Sequence, residues 1–306
     1  MLPRRTRRLP DGLDPALTVP NRVVVVGNAG LDLRLAVPRL PMAGETLIGK
    51  AAGRRIPGGK GLNQATVAAR CGAPVRFCAP LGSDDAEAAE IARHLAREGF
   101  EQLVLPRLPH ATDFSLLMVL PNGENSIVST SACSLALQPA DAEPVLRDLG
   151  AGDVVLMQGN LSLDTTAAIL ADARRKQATT IVNPAPFWPG IEKRMGDCDV
   201  VIANRVEAEA LGEAIHAART AIVTLGAEGC QLMERGRLLS FAAQPVAAID
   251  TTGCGDAFCG VIAALLARGV AIADAIGLAQ RAAALTATRE GAFAALPTRD
   301  ELVLGR

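Results

Sequence analysis

The pattern in this chain best suited to chemistry is an aspartate that follows a glycine-rich turn. The stretch DTTGCGDAFCG (250–260) places three small residues directly before Asp256, and a helical run is predicted to open at Ala257. Unpaired amide groups at a helix start bind anions, and a carboxylate at the same point can accept a proton from an alcohol. This combination predicts phosphoryl transfer to a hydroxyl group. A purely structural reading, with Asp256 as a helix N-cap, stays open.

A second glycine-rich stretch, PGGKGLNQA (57–65), leads into another predicted helix. Gly58 and Gly59 would let the backbone approach a ligand closely, Lys60 offers a cation, and Asn63 points from the first helical turn. The same letters also fit a simple turn before a helix, so the stretch alone does not decide between the two. The segment GETLIGKA (44–51) is not a phosphate-binding P-loop, because Ala51 stands where that motif needs a hydroxyl.

Composition excludes several classes of protein. The chain has 306 residues, is 49% hydrophobic and 21% charged, and carries a net charge of −1. Such a chain can bury a large core and has no global attraction for nucleic acid or membranes. Its seven cysteines include no Cys-x-x-Cys pair, which favours reduced thiols in the cytoplasm. Residues 1–21 contain an arginine-rich start without an apolar run, and we predict a flexible tail there.

Strand and helix patterns alternate along the rest of the chain. We predict strands at 23–26, 74–79, 153–157, 179–183, 199–203 and 221–225, and helices at 85–98, 164–176, 205–212, 257–268 and 272–289. The stretch 59–72 is predicted to be a glycine-rich loop that opens a further helix, with Gly72 after the helix end. Two hairpins, 114–130 and 230–241, interrupt this order. The alternation predicts a mostly parallel sheet covered by helices on both faces, with ligands at the carboxyl ends of the strands.

These motifs resemble those of the ribokinase-like (PfkB) family of carbohydrate kinases. GGKGLNQA resembles that family's first signature and DTTGCGDAFCG its second. Between and after them lie NPAP (183–186), NRVEAE (204–209), TLGAEG (224–229) and TREGA (288–292), and GETLIGK precedes them. The similarity spans roughly 22–304. It implies a three-layer α/β/α fold, a kinase domain over 22–306, and a small β lid that includes about 114–130.

The resemblance also implies roles for individual residues. Asp256 would be the catalytic base, and the amides of Gly253, Cys254 and Gly255 would stabilise the transferring group. The sugar would be held by Asp32, Gly58, Gly59, Lys60 and Asn63, with Asn160 nearby. Asn204 and Glu207 would organise Mg²⁺ and phosphates, and Thr224, Gly226, Gly229 and Gln280 would lie along ATP. Asp250 and Thr252, with carbonyls near Thr286, Arg289 and Gly291, would form a K⁺ site. The lid would also mediate a homodimer.

The chain departs from ribokinases at several of these positions. Ribokinases have Asn where this chain has Gly30 and Glu where it has Asn160, so we expect a sugar other than D-ribose to be the best substrate. We also expect Gly30 to open space for a larger substrate. Gln280 replaces an Asn near the adenine, and Ala295 replaces a Ser near the potassium loop.

Two alternatives to a sugar kinase remain open at this stage. A nucleoside kinase would need an aromatic base pocket, for which Phe77 and Phe114 are the early candidates, although core packing is the expected role of Phe114. A non-catalytic sensor of sugar or nucleotide would not need Asp256 as a base. We also expect the helix start to lower the pKa of the Cys254 thiol and to make it reactive.

Overall fold

The computed structural model describes residues 21–51, 55–83, 85–121 and 124–303. The predicted tail therefore lies outside the described residues except for Asn21, whose side chain donates to the Ala267 carbonyl. The strands are β1 (Val23–Val26), β2 (Gly30–Ala36), β3 (Lys50–Ala51), β4 (Ile56–Gly58), β5 (Val75–Cys78), β6 (Leu81–Gly82), β7 (Gln102–Val104), β8 (Arg107–Leu108), β9 (Phe114–Val119), β10 (Asn125–Ser129), β11 (Val154–Gln158), β12 (Thr179–Asn183), β13 (Val200–Asn204), β14 (Thr220–Thr224), β15 (Cys230–Glu234) and β16 (Arg237–Phe241). The helices are α1 (Lys60–Arg70), α2 (Ala86–Leu95), α3 (Ala132–Ala136), α4 (Pro139–Leu146), α5 (Leu163–Arg175), α6 (Arg205–Leu211), α7 (Cys254–Ala267), α8 (Ile272–Ala287) and α9 (Arg299–Val303).

The central sheet confirms the predicted architecture. The described residues form nine strands in the order β16-β15-β14-β13-β12-β11-β1-β5-β7. From β14 to β7 neighbouring strands run parallel, and the hairpin β15–β16 adds two antiparallel strands at one edge. The carboxyl ends of the parallel strands therefore meet on one side of the molecule, where the glycine-rich stretches also lie.

Helices cover both faces of this sheet, and β1 shows why. Side chains alternate between the two faces of a strand, and every residue of β1 is buried, so both faces of the sheet are covered at β1. Val23 and Val25 belong to the core shared with α1, α7 and α8, whereas Val24 and Val26 belong to the core shared with α4 and α5. A short β-branched run buried on both faces is typical of a central parallel strand.

A second, smaller sheet forms the lid. Among the described residues it contains β10, β9, β2 and β3 in that order, and β4 also pairs with β2. The hairpin β9–β10 is antiparallel, as the sequence predicts, whereas β9 runs parallel to β2. The lid is thus built from early segments of the chain and carries Asp32 on β2.

The helix after the second signature begins earlier than predicted. It starts at Cys254 rather than Ala257, and Gly253 is its N-cap with φ of 83°. A residue with positive φ before a helix is readily supplied by glycine, so the turn itself is part of the helix start. Asp256 therefore lies in the first turn and is not the N-cap. No helix in the described segments has the length and apolar character needed to cross a membrane.

Candidate active site

A cavity of about 690 Å³ lies between the carboxyl ends of the central strands and the lid. This volume is in the range of small-molecule sites. Residues of the central sheet and α7 form one wall, and residues of β2, β9 and β10 form the other. The lining contains Asn28, Asp32, Gly59, Lys60, Asn63, Ser115, Asn125, Asn160, Asn183, Trp188, Asn204, Glu207, Thr224, Gly226, Thr252, Gly253, Gly255 and Asp256.

Asp256 is buried at the floor of this cavity and is held by two amide side chains. Asn63 Nδ2 donates to its Oδ2 at 2.8 Å, and Gln64 Nε2 donates to its Oδ1 at 3.0 Å. Both donors are adjacent residues near the start of α1. The contacts fix the plane of the carboxylate and leave each oxygen with further capacity to accept a hydrogen bond. They bring the two sequence signatures together in one site.

A chain of buried amides continues beneath Asp256, and sequence reasoning missed it. Gln64 Nε2 also donates to Asn183 Oδ1 at 3.1 Å, and Gln64 Oε1 accepts from Gln158 Nε2 at 2.8 Å. Asn183 Nδ2 donates to the carbonyl of Ile202 at 2.8 Å. Buried polar groups must be satisfied, so these contacts connect α1 to the ends of β11, β12 and β13. The available signal was two amides, Gln158 and Asn183, at the ends of otherwise apolar strands.

The first turn of α7 presents unpaired amides, although not the full predicted set. The Cys254 amide donates to the Thr251 carbonyl at 3.3 Å and so closes the turn. Among the described residues, the amides of Gly253, Gly255 and Asp256 have no protein acceptor. Gly253 and Gly255 line the cavity, and a Cβ added at Gly255 would meet open space. The amides that are free to bind an anion are therefore those of Gly253, Gly255 and Asp256 rather than that of Cys254.

The expected lowering of the Cys254 pKa is wrong. Burial, together with the nearby carboxylates of Asp250 and Asp256, raises the pKa of the Cys254 thiol to about 12. Burial is the larger cause and the two carboxylates add to it, so the thiol at this helix start is less acidic than a free cysteine. Cys254 does not line the cavity.

Asp32 is the acidic group of the lid wall. Burial, and next the charge of Asp256, raise its pKa to about 7, whereas a hydrogen bond from Ser115 and the charge of Lys60 act in the opposite direction. Gly58 does not line the cavity, but a Cβ there would lie 2.2 Å from Asp32 Oδ2. Glycine at 58 therefore provides the room that the Asp32 carboxylate occupies.

Gly30 does not open space, which corrects the expectation from the sequence. A Cβ at Gly30 would lie 2.3 Å from the Asp113 carbonyl oxygen, so backbone already fills that direction. Ribokinases have an amide side chain at the position of Gly30, and here the nearby Asn28 places an amide in the cavity lining. The sequence analysis missed Asn28. Asn28 Oδ1 accepts from the Gly61 amide at 3.1 Å, while Asn28 lines the cavity. The close fit of Gly61 against Asn28 is part of the same contact.

Three further residues shape the sugar side of the cavity. Lys60 is the first residue of α1 and lines the cavity beside Gly59. Asn160 is 8% exposed, and its Oδ1 has no hydrogen-bond partner, so it presents an unpaired acceptor to the cavity. Trp188, the single tryptophan of the chain, also lines it and is 39% exposed. The sequence analysis did not single out Trp188, although it lies two residues after NPAP.

Asn204 and Glu207 form a capping box at the start of α6. Asn204 Oδ1 accepts from the Glu207 amide at 2.9 Å, and Glu207 Oε2 accepts from the Asn204 amide at 2.8 Å. Burial raises the pKa of Glu207, and the charge of Asp256 adds to this effect, against the Asn204 hydrogen bond and Lys60. Both residues line the cavity. These oxygen donors suit a hard cation such as Mg²⁺.

The predicted nucleotide residues divide into two groups. Thr224 and Gly226 line the cavity at the end of β14. Gly229 and Gln280 do not: a Cβ at Gly229 would lie 1.9 Å from the Phe241 carbonyl oxygen, and Gln280 Nε2 donates to that same carbonyl at 3.1 Å. In the described structure these two residues therefore support the hairpin β15–β16 rather than the cavity wall.

The residues expected to bind K⁺ lie in and around the 250–253 loop, and both oxygens of the Asp250 carboxylate already accept hydrogen bonds from the protein. Asp250 Oδ1 accepts from the amide and hydroxyl of Thr252 at 2.9 and 2.6 Å, and Oδ2 accepts from the Gly291 amide at 3.0 Å. The guanidinium of Arg34 also forms an ion pair with Asp250 Oδ2. A positively charged side chain, that of Arg34, therefore already lies beside the expected K⁺ ligand Asp250.

Two other members of that set are engaged in protein contacts. The Thr286 carbonyl accepts from the Arg289 amide at 3.1 Å, and the Arg289 guanidinium pairs with Glu301. Asp250, the charged donor expected for K⁺, therefore already has the Arg34 guanidinium beside it as a counter-ion.

The aromatic residues proposed for a base pocket do not form one. Phe77 is fully buried and packs against Phe100 with ring centroids 5.7 Å apart. Phe114 is 48% exposed on β9, so core packing is not its role, and it does not line the cavity. The nucleoside alternative thus loses the residues on which it depended.

Comparisons with known proteins agree with this geometry. The sequence pattern of the pfkB family of carbohydrate kinases matches residues 20–299. A ribokinase of Bacillus subtilis is 31% identical over 288 residues, covering 92% of this chain and 97% of the relative. A deoxyribokinase of Salmonella typhi is 27% identical, covering 91% and 96%. The structure of Arabidopsis thaliana ribokinase complexed with ribose and ATP superposes with a TM-score of 0.79 at 25% identity, covering 94% and 98%. The chain therefore belongs to the pfkB family of carbohydrate kinases, and it is an ATP-dependent enzyme that phosphorylates a sugar.

Proposed function

We propose that the enzyme transfers the terminal phosphoryl group of ATP to the hydroxymethyl group of a pentose-sized sugar. The observation that carries this proposal is the position of Asp256. Its carboxylate lies at the cavity floor, held by Asn63 and Gln64, in the same helical turn as the unpaired amides of Gly255 and Asp256. A base beside an anion-binding turn is the arrangement that phosphoryl transfer to an alcohol requires.

In this mechanism Asp256 accepts the proton of the sugar hydroxyl as its oxygen attacks the terminal phosphorus. The new O–P bond forms while the bond from phosphorus to the bridging oxygen of ADP breaks. The amides of Gly253, Gly255 and Asp256 donate to the oxygens of the transferring group and stabilise its charge. On the lid wall, Asp32, in its ionised form, accepts hydrogen bonds from two neighbouring sugar hydroxyls, and Asn28 and Asn160 contact the remaining ones.

Asn204 and Glu207 would organise Mg²⁺ and the phosphates from the opposite side, with Thr224 and Gly226 along the nucleotide. When bound, Mg²⁺ would neutralise phosphate charge. The position of both side chains in the cavity lining, with carboxylate and amide oxygens side by side, supports this assignment. Potassium is not carried into the proposal, because Arg34 already pairs with Asp250.

A coupled assay that measures ADP release over a panel of pentoses, deoxypentoses, hexoses and nucleosides tests the proposal. We expect turnover with a sugar carrying a free hydroxymethyl group, and we expect D-ribose to rank below the best sugar, because Asn160 stands where ribokinases have Glu. Asp256→Asn should lower kcat by about 10² to 10⁴, with ATP affinity nearly unchanged. A nucleoside as best substrate, or near-normal turnover of Asp256→Asn, would contradict the assignment.

We also propose that the enzyme works in the cytoplasm as a homodimer formed through the lid. All seven cysteines are free thiols, which is compatible with a reducing compartment. Strand β10 is an edge of the lid sheet and exposes Ile127 and Val128, at 47% and 59%. An edge strand with exposed apolar side chains is suited to pairing with a second copy.

A further inference from the structure

Arg34 projects from the lid toward the loop that forms the anion-binding turn. It lies on β2 two residues after Asp32, so both side chains point to the same face of the strand. Its side chain is 16% exposed. Its Nε lies 3.4 Å from Asp250 Oδ2, and its Nη1 donates to Glu290 Oε2 at 3.1 Å. A partly buried guanidinium thus joins the lid to a residue before α7 and to a residue after α8.

Asp250 organises the loop that Arg34 reaches. The carboxylate is completely buried and receives the amide and hydroxyl of Thr252 on one oxygen and the Gly291 amide on the other. Burial acts to raise the pKa of Asp250, but these hydrogen bonds and the Arg34 charge outweigh it and hold the pKa below its usual value. The position of Thr252 in turn sets the backbone that enters Gly253. Whatever neutralises Asp250 therefore holds the anion-binding turn in place.

A buried carboxylate needs a counter-ion, and here the counter-ion is part of the chain. A free monovalent cation at the same carboxylate would lie close to the guanidinium and would be repelled by it. We propose that Arg34 takes the place of the monovalent cation that the family resemblance implies, so that phosphoryl transfer does not depend on K⁺. Arg34 is then a positioning residue, since it acts through Asp250 and does not contact the reacting atoms. The proposal about turnover rests on the proposed kinase function.

The test compares wild type with Arg34→Ala in chloride salts of K⁺, Na⁺ and tetramethylammonium at equal ionic strength. The wild-type rate should agree within about twofold across the three salts. Arg34→Ala should lose at least tenfold in tetramethylammonium and recover most of this loss in K⁺, which can then neutralise Asp250. Arg39→Ala serves as the control, because Arg39 follows the same strand but pairs with Glu45 at the surface.

The thermal unfolding midpoint, measured without substrates in the same salts, provides a readout independent of turnover. We expect no difference between K⁺ and tetramethylammonium for wild type and for Arg39→Ala, and a higher midpoint in K⁺ for Arg34→Ala. Strong activation of wild type by K⁺, or an Arg34→Ala variant as insensitive to K⁺ as wild type, would overturn the inference. Absence of sugar kinase activity in every salt would instead contradict the proposed function, and the unfolding midpoints would still decide the role of Arg34.

Discussion

At the scale of single residues, Asp32 is the site residue whose ionisation lowers the stability of the fold. Its carboxylate is buried between the lid and Asp256, and its pKa is raised to about 7. A raised pKa means that the folded state binds more protons than the unfolded state between pH 3.8 and about 7. Stability therefore falls as pH rises through this window. Binding of sugar hydroxyls requires the ionised form, so function and stability favour opposite charge states of the same group.

This conflict predicts that Asp32→Asn stabilises the protein while it impairs the enzyme. The variant lacks the titrating carboxyl, so its advantage over wild type in free energy of unfolding should be larger at pH 8 than at pH 5. From the size of the pKa shift, this difference should grow by about 2–3 kcal/mol. Urea unfolding at both pH values measures this change, and kcat/KM for the sugar should fall. The exposed Asp300→Asn is the control and should show no pH-dependent gain. A stability difference that stays constant with pH would contradict the raised pKa.

The residues that sequence could and could not predict differ in how far their partners lie along the chain. Asp256, Asn63 and Glu207 belong to local motifs, so their types and spacing were informative. Arg34 pairs with a carboxylate 216 positions away. In the sequence, an arginine at an alternating position of a strand has the same pattern as an arginine that is exposed to solvent. Gln64 lies inside a predicted motif, but its contacts with Gln158 and Asn183 depend on how a helix packs over strand ends.

At the scale of elements, apolar runs predicted the central strands well because they are buried on both faces. The start of α7 was placed three residues late, since Gly-Cys-Gly has low helix propensity and indicates a loop. Strand β2 was not predicted, although Leu31, Leu33 and Leu35 alternate with other residues in GLDLRLA. Helix α4 was also missed, although Gln138 and Asp141 form a capping box around its start.

The exposed edge strand β10 of the lid predicts that the protein is a dimer. Sedimentation equilibrium of the wild type should give twice the chain mass of 31.7 kDa. Val128→Lys should give the monomer mass, because a charge on the edge strand β10 opposes pairing of two edges. Leu238→Lys on β16 is the matched control, since it is also exposed, at 58%, on an edge strand, but of the central sheet. A wild type that sediments as a monomer, or a dimer lost only with Leu238→Lys, would place the interface elsewhere or remove it.

At the scale of the whole molecule, the cavity is the place where the two sheets meet. Central strands contribute Asn183, Asn204 and Thr224 from their carboxyl ends, and the lid contributes Asp32 and Ser115. Sequence predicted that ligands bind at those ends, but it could not show how the lid faces them. That relation depends on contacts between distant segments, including the hydrogen bond from Asn125 Nδ2 to Thr252 Oγ1 at 2.7 Å.

This contact predicts that the two substrates bind cooperatively. Asn125 begins β10 in the lid, and Thr252 shapes the turn that would hold the phosphates, so ordering either side favours the other. One ligand at 100 times its Kd should stabilise the folded state by about 2.7 kcal/mol, which is roughly 5 °C in the unfolding midpoint for a domain of this size.

With the sugar and a non-hydrolysable ATP analogue together, we expect a shift larger than the sum of the two single shifts. Asn125→Ala should remove this excess, because the hydrogen bond connects the two walls. Since Asn125 also lines the cavity, the excess is calculated from the single shifts of the same variant. Lys50→Ala is the control, since Lys50 is exposed on the lid strand β3 and should preserve the excess. Additive shifts in the wild type would mean that the lid and the anion-binding turn respond independently, and that the Asn125–Thr252 contact carries no coupling between the sites.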